Sequence, residues 1–422
     1  MKIISDLHIH GPYSRATSTH LSIPNLEKWA RIKGADLLGT GDFTHPKWIE
    51  HLKLNLKEDS ETGILKTKTG FPFVLQTEIS LIYTQDGKGR RVHVVLLAPS
   101  FEVVKQITDY LKSKGRIDYD GRPIFKISCI EFTETLKKIS QDIEIIPAHI
   151  WTPWFALFGS KSGFDSAKEA FGDQLKHINA METGLSSDPA MNWRLSQLDR
   201  FQLVSFSDSH SFWPWRMARE ATIFDLDKLT YKGIISALKT GQGLAGTIEV
   251  DPGYGRYHFD GHRKCNINIS PQKSLKYKDI CPVCKKPLTL GVLHRIEELA
   301  DRPEGFELKD AKPFKKIIPL SELLAGLLKT TMATKKVWAE YNKILKAFTS
   351  EYDVLLNASP EALKTVTNDK IAETILKNRA GNLKVVPGYD GVYGIPIFSK
   401  SDLPEQKIEK VEKKQKGLTD FF

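Results

Sequence analysis

Cysteine is scarce in this chain, with four in 422 residues, too few for the disulfide framework of a small secreted scaffold. No run approaches the ~20 apolar residues that a membrane span requires, and the first residues lack the apolar stretch of a secretion signal. Cytoplasmic residence is therefore expected, with no membrane partner, and no internal repeat is found. Acidic charge is outnumbered: 61 Lys and Arg against 51 Asp and Glu give a net charge of +10. That balance favours a polyanionic partner, although a basic thermophilic enzyme would show it too. Against these absences, a hydrophobic content of 41% with 10% aromatics is ample for globular folding, and the length suggests two to three domains.

What the chain does have is histidine and carboxylate in a regular setting. Asp6-Leu7-His8-Ile9-His10 follows the apolar pair Ile3-Ile4, like a short buried strand breaking into a loop. Residues i and i+2 on a strand point the same way, so His8 and His10 can grip one cation. Asp42, His45, Glu78, His93, His149, Asp208 and His210 come later, nearly all in or just after short apolar runs. This His/Asp/Glu mixture is what borderline divalent metals use for hydrolysis. Paired metals roughly 3.5–4 Å apart activate water and neutralise a scissile phosphate. Glu78 is the natural bridging carboxylate, since it has two oxygens where an imidazole has one lone pair to give. His8, His10, His93, His149, Asp208 and His210 would be terminal ligands. Glu182 closes another strand-like run and is a ligand, a base or a partner orienting a histidine. Glu78, Glu182 and Asp208 are the catalytic candidates. His20, His51 and His177 lack this setting and read as surface or structural residues.

Strand-like and helix-like segments alternate to about residue 245. Residues 2–6, 36–40, 73–78, 92–97, 144–148, 177–182 and 202–207 read as strands, and 24–33, 101–114, 129–140 and 226–239 as amphipathic helices. Alternation of this kind predicts a parallel α/β fold, closed or nearly closed into a barrel, with functional side chains at the carboxyl ends of strands. His93 is an exception, near the start of its run. The expected organisation is a barrel over 1–245, a Cys-rich module over 246–308, a Lys-rich helical region over 309–400 and a flexible tail over 401–422.

Cys265 and the later Cys281-Pro282-Val283-Cys284 resemble a zinc knuckle, whose thiolates converge on one tetrahedral ion. Three cysteines need a fourth ligand; His262 mirrors the later pair as His-x-x-Cys, and His294 is the alternative. The site would be structural, because a closed zinc site holds small modules that lack a core. Cys129 stands alone and reads as a core thiol. Residues 309–346 hold nine lysines against Asp310, Glu322 and Glu340; beside a zinc knuckle this charge run points to nucleic acid, with Lys315, Lys316, Lys335 and Lys336 as contact candidates. Trp151, Trp154, Trp213 and Trp215 flank the His149 and His210 clusters, either to stack on an unpaired base or to wall the site.

The motifs resemble those of the PHP (polymerase and histidinol phosphatase) family: Asp-Leu-His-Ile-His at 6–10, Gly-Thr-Gly-Asp at 39–42, His149 after Ile-Pro-Ala, and Ser-Asp-Ser-His at 207–210. The resemblance implies a distorted (β/α)7 barrel that binds two or three divalent ions (zinc, manganese, iron or magnesium) and hydrolyses phosphate esters. Many members carry His directly after the second-motif Asp; here Phe43 follows Asp42, leaving His45 as the alternative. The final residues, Gln415-Lys416-Gly417-Leu418-Thr419-Asp420-Phe421-Phe422, read Q-x-x-L-x-x-F-F and are similar to the motif that docks on a PCNA-type sliding clamp, with Gln415, Leu418, Phe421 and Phe422 as anchors. Over nearly the whole chain, including Met-Glu-Thr-Gly-Leu-Ser-Ser-Asp-Pro at 181–189 and Cys-Pro-Val-Cys at 281–284, the sequence resembles the endonuclease Q family. That resemblance implies a nucleoid-associated DNA repair endonuclease that nicks 5′ of deaminated bases (uracil, hypoxanthine, xanthine) and of abasic sites.

Two rival readings are weighed against it. A small-molecule phosphatase of the histidinol-phosphate type would need the barrel but not the Cys-rich module, the lysine face or the tail motif. A non-catalytic, clamp-tethered DNA-binding protein would not need so complete a ligand set.

Overall fold

The computed structural model describes residues 1–398; the clamp-like motif at 415–422 lies outside the described residues. The strands are β1 (Lys2–Asp6), β2 (Leu37–Gly39), β3 (Lys57–Asp59), β4 (Ile64–Lys66), β5 (Pro72–Gln85), β6 (Lys88–Ala98), β7 (Ile124–Phe125), β8 (Glu144–Pro147), β9 (Ala180–Glu182), β10 (Gln202–Val204), β11 (Ala221–Asp225), β12 (Leu244–Glu249), β13 (Asp260–His262), β14 (Ile267–Ile269), β15 (Phe314–Lys316), β16 (Lys384–Val386) and β17 (Ile395–Ile397). Helices Ile23–Lys33, Phe101–Lys114, Cys129–Ile139 and Tyr231–Thr240 cover the sheet. Each follows a Ser or Thr whose side chain accepts an amide of the first turn: Ser22 from Asn25, Ser100 from Val103, Ser128 from Glu131 and Thr230 from Gly233.

The α/β character is as expected, but the parallel closed barrel is not. The main sheet has 11 strands in the order β15-β12-β11-β1-β2-β5-β4-β3, with β6 and β7 on β5 and β8 on β6. It is mixed, and it is not closed. The pairs β1–β2 and β2–β5 are parallel, whereas β5–β6, β6–β8, β1–β11 and β11–β12 are antiparallel. Strands β9 and β10 form a separate two-stranded parallel sheet. The reason is local. Asp86-Gly87, both at positive φ, make the tight turn that folds β5 and β6 into a hairpin in register from Gln85–Lys88 to Leu75–Ala98. A two-residue turn can only reverse the chain, so β6 runs back along β5 and the crossover helix of a parallel pair is not needed.

The antiparallel hairpin also accounts for the place of His93. It stands opposite Ser80 across the ladder, and Glu78, two residues before Ser80, shares that face. A residue near the start of one strand thereby meets one in the middle of its neighbour.

The segment expected to be helical from 309 begins instead with β15, which pairs in parallel with β12; Pro313 opens it at the sheet edge, where a missing amide costs least. Helices follow at Leu320–Leu327, Lys335–Leu345, Pro360–Val366 and Asp369–Arg379. They dock on the sheet layer through a buried ion pair. Glu351, fully buried, accepts from Lys33 Nζ at 2.7 Å, Tyr341 Oη at 2.8 Å and the Leu320 amide at 3.1 Å. Beside it, Trp213 packs on Trp29, Trp215 and Trp338 with ring centroids 5.1, 5.1 and 5.8 Å away. The β13–β14 hairpin carries the Cys-rich segment, and the β16–β17 hairpin is joined to it through the Phe259–Tyr389 bridge. Among the described residues no helix is long and apolar enough to cross a membrane.

Candidate metal centre

The main sheet and the separate β9–β10 pair deliver the candidate ligands from five strands. Past the end of β1, His8 and His10 are fully buried, and their Nε2 atoms converge on Glu78 of β5. His10 Nε2 lies 3.2 Å from Glu78 Oε2 and 3.1 Å from Asp208 Oδ1. His8 Nε2 is 3.6 Å from both carboxylates and has no hydrogen-bond partner although it is buried. On the other side of the same carboxylate, His93 Nδ1 and His149 Nε2 lie 2.8 and 3.2 Å from Glu78 Oε1. Glu78 thus belongs to two ligand groups, His8/His10/Glu78/Asp208 and Glu78/His93/His149, each with its donor atoms within 4.8 Å of one another. One oxygen faces each group.

This donor set fits divalent ions. A buried, partnerless imidazole nitrogen is costly unless something accepts its lone pair, and His8 Nε2 points at two carboxylates. Electrostatics tell the same story. Burial opposes charge on His8, yet Glu182, Glu78 and Asp208 outweigh it and hold its pKa well above the ordinary histidine value. For His10 the burial penalty is likewise overcome, chiefly by Asp42 and Asp208. Glu78 is held well below its usual range, because His93, Arg122 and His8 overcome the cost of burying it. The pocket demands positive charge among its acceptors, and a cation is what supplies it without protonating the ligands.

A second layer of hydrogen bonds fixes the imidazoles. Glu182, buried at the end of β9, takes His8 Nδ1 at 2.9 Å and the His149 amide at 2.8 Å. Asp42 takes His10 Nδ1 at 2.9 Å and the Gly11 amide at 2.6 Å. A carboxylate on Nδ1 keeps the proton there and leaves Nε2 to donate its lone pair. Asp6 accepts from the Ser207 and Ala218 amides at 3.0 and 2.8 Å and from Ser207 Oγ at 2.5 Å, tying the end of β1 to the loop that carries Asp208. Asp42, His149 and Asp208 all sit at positive φ, 40°, 31° and 48°. Non-glycine residues hold that conformation only where their surroundings enforce it, at about 1–3 kcal/mol each, and here all three lie at the metal centre.

Not every expected ligand arrives. His45 joins neither group: it precedes the helix Pro46–Asn55, its ring stacks on Tyr13 at 4.2 Å, and its Nδ1 is unpartnered. Asp42 supports His10 and stands outside both groups. His210 also stands outside both groups: its ring is tilted against that of His10, 4.4 Å between centroids, and its Nδ1 turns to the Asp208 carbonyl at 3.0 Å. Of the tryptophans, Trp151 is buried with Nε1 donating to Asn192, Trp213 and Trp215 pack within the cluster described above, and Trp154 is 39% exposed. Arg122 was not anticipated: its Nη1 donates to Glu78 Oε2 at 2.9 Å. The signal lay in Tyr-Asp-Gly-Arg-Pro at 119–123. A Cβ on Gly121 would sit 2.2 Å from Asp42 Oδ2, so only glycine lets this loop pass so close. Gln76, also unanticipated, accepts the Ile9 and Gly41 amides at 3.3 and 3.0 Å and holds two of the ligand loops in register.

In the Cys-rich segment, His262, Cys265, Cys281 and Cys284 bring their ligand atoms within 4.8 Å of one another, with Cys284 Sγ 3.3 Å from His262 Nδ1. His294 is elsewhere, 2.6 Å from Asp260. Of the four lysines, Lys315, Lys335 and Lys336 are exposed. Lys316 is ion-paired with Asp188 at 2.7 Å and only partly accessible.

Comparison with solved structures decides the kinship. The lesion-specific endonuclease PfuEndoQ from Pyrococcus furiosus superposes with a TM-score of 0.85 at 31% identity, covering 97% of this chain and 98% of that one. The chain belongs to the endonuclease Q family. A second endonuclease Q structure, a complex with a 27-mer duplex substrate carrying an abasic lesion at the active site, matches with a TM-score of 0.84 at 32% identity over 97% of this chain and all of that one. Residues 319–382 match the family model described as the MJ0043 C-terminal domain. Protein MJ0043 of Methanocaldococcus jannaschii is 31% identical over 264 residues, 61% of this chain but 32% of its own length. This chain therefore spans about a third of that relative. YqxK of Bacillus subtilis (strain 168) is 29% identical over 416 residues, covering 93% of this chain and 98% of its own.

Proposed function

We propose that the chain is a metal-dependent DNA repair endonuclease that hydrolyses the phosphodiester bond 5′ of deaminated bases (uracil, hypoxanthine, xanthine) and of abasic sites. The observation that carries the reading is Glu78, whose two oxygens face two separate ligand groups in the manner of a bridging carboxylate. The kinship with an endonuclease Q held on an abasic duplex supports DNA as the substrate.

Residues His8, His10, Glu78 and Asp208 would hold one divalent ion, and Glu78, His93 and His149 a second; His210, whose ring packs against His10, would complete the first group. Bound there, such ions lower the pKa of water and neutralise charge building up on a phosphate. The chain's own part is positioning. Glu182 and Asp42, on the Nδ1 atoms of His8 and His10, would keep the protons there and leave Nε2 free to hold an ion. Arg122 compensates the buried Glu78 charge and is 25% exposed, so its remaining donors can reach an incoming phosphate. His262, Cys265, Cys281 and Cys284 would bind one structural zinc. The lysines 315, 335 and 336 would contact DNA, and the motif at 415–422 would tether the enzyme to a PCNA-type clamp.

The test is incubation of metal-loaded protein with duplexes carrying uracil, hypoxanthine, xanthine, an abasic site or no lesion, with cut positions mapped on a sequencing gel. Cleavage one bond 5′ of the lesion, lost in His8→Ala, is expected. Equal cutting of the undamaged duplex, or none of any DNA, refutes the reading.

A further inference from the structure

We propose that Arg256, Arg263 and Tyr257 form a binding site for a backbone phosphate of the DNA, on the rim between the metal centre and the Cys-rich segment. Both arginines are exposed. A Cβ placed on Gly391 would lie 3.5 Å from Arg263 Nη1, 3.6 Å from Tyr257 Oη and 3.9 Å from Arg256 Nη2. Three donors therefore converge on one point over a turn whose glycine, at φ 86°, has no side chain to fill the space. Arg256 is steadied there by its Nε, which donates to the Gly391 carbonyl at 3.0 Å, and by the ring of Tyr393 5.1 Å away.

The positive charge is uncompensated. Neither guanidinium has an ion pair among the described residues. The carboxylate of Asp390, on the same turn as Gly391, accepts from the Arg263 amide and from Thr289 Oγ1, both at 2.7 Å. The surface continues in the same sign. All six lysines between 264 and 286 are exposed, and the one acidic residue in that stretch, Asp279, accepts from Ser274 Oγ at 2.8 Å. A planar guanidinium pair with an adjacent hydroxyl suits a phosphate oxygen cluster, and a run of exposed lysines suits a polymer of phosphates better than a single small anion.

The site is also joined to the metal centre. Thr152 Oγ1 lies 3.2 Å from His149 Nδ1 and donates to the Trp154 carbonyl, and the Trp154 ring meets Tyr257 edge-on at 5.7 Å. A strand gripped at the arginines is thereby led past Trp154 towards His149.

This inference rests on the DNA reading above, and one experiment separates the two. Binding of an abasic duplex is followed by fluorescence anisotropy at several salt concentrations, for the wild type, Arg263→Gln and Arg256→Gln/Arg263→Gln. Each lost phosphate contact should lower the slope of log K against log salt by about 0.9. The double variant removes the one phosphate contact, so it should lose about 0.9 in slope and weaken at least about tenfold at ~0.1 M salt. The cleavage rate at saturating enzyme should stay at the wild-type value. Arg263→Gln, which removes a guanidinium with no ion pair among the described residues, should show a smaller slope change with unaltered folding. If the wild type neither binds nor cuts the duplex, the DNA reading falls. If the wild type binds and cuts while both variants keep its affinity and slope, the phosphate site falls alone.

Discussion

Replacing Glu182 by Gln probes how far the metal centre depends on a residue that stands outside both ligand groups. The carboxylate is fully buried and receives two N–H groups at once, His8 Nδ1–H at 2.9 Å and the His149 amide at 2.8 Å. Glutamine keeps the shape but offers a single oxygen. If that oxygen serves His8, the amide NH2 faces the His149 N–H, and donor meets donor; the reverse orientation strands His8. One buried donor is left unsatisfied either way, at about 1–3 kcal/mol. With 1.4 kcal/mol per factor of ten, metal affinity should fall about 5- to 150-fold. His149 sits at a strained φ of 31°, so the loss of its amide acceptor should loosen both ligand groups, not His8 alone. The assay is competitive metal titration with a chromophoric chelator, paired with single-turnover cleavage of an abasic duplex at limiting and at saturating metal. The expected pattern is weaker binding with activity largely recovered at saturation. A Glu182→Gln protein that binds metal as tightly as the wild type would refute the assignment of Glu182 as the residue that orients His8.

Cys281→Ser or Cys284→Ser should each release about one zinc per chain and destabilise the segment around it, which metal analysis of the purified variants reads directly; unchanged zinc rules out the site. Glu351→Leu should strand the buried Lys33 charge and cost about 3–5 kcal/mol, whereas Lys33→Met/Glu351→Leu should recover most of it; denaturation followed through the Trp29/Trp213/Trp215/Trp338 cluster reports both, and an unaffected single variant contradicts the reading. Burial pushes the Glu144 carboxyl up to about 7 from 4.5. The folded state then binds more protons than the unfolded one between those values, so this group's contribution falls as pH rises from about 4.5 to about 7, by roughly 3 kcal/mol; Glu144→Gln should flatten stability in that window, and a wild-type profile in the variant would exclude the effect. Phe421→Ala/Phe422→Ala should remove most binding to an archaeal-type sliding clamp, each Phe contributing about 1.5–3 kcal/mol, without altering cleavage of free oligonucleotides; calorimetry showing equal affinity would discount the motif.

Much of the candidate site is legible in the chain because ligand chemistry is tied to residue type and short spacing. The alternation in His8-Ile9-His10 puts two imidazoles on one face whatever the rest of the fold does, and His-x-x-Cys and Cys-x-x-Cys each bring two donors close by a local turn. The element positions follow for the same reason: amphipathic period and Ser or Thr caps act within a few residues.

Strand direction and partner choice do not act within a few residues. Asp86-Gly87 is a hairpin-turn signal, and it alone hints at the antiparallel β5–β6 pair that brings His93 to Glu78. The open sheet, the separate β9–β10 pair and the β15–β12 edge depend on which strands meet, and a strand's sequence carries little about its neighbour. The supporting shell belongs to the same class. Glu182 and Asp42 differ from other strand-end carboxylates only in what lies across from them, and Arg122 reaches Glu78 because Gly121 lets its loop close over Asp42. His45 has the right chemistry and a plausible spacing, yet the helix that starts at Pro46 turns it onto Tyr13. Residue type and short spacing determined that this chain carries the donor chemistry of a metal site. The tertiary structure decided which side chains share an ion, because convergence of residues some 200 positions apart is set by packing, and no local signal encodes it.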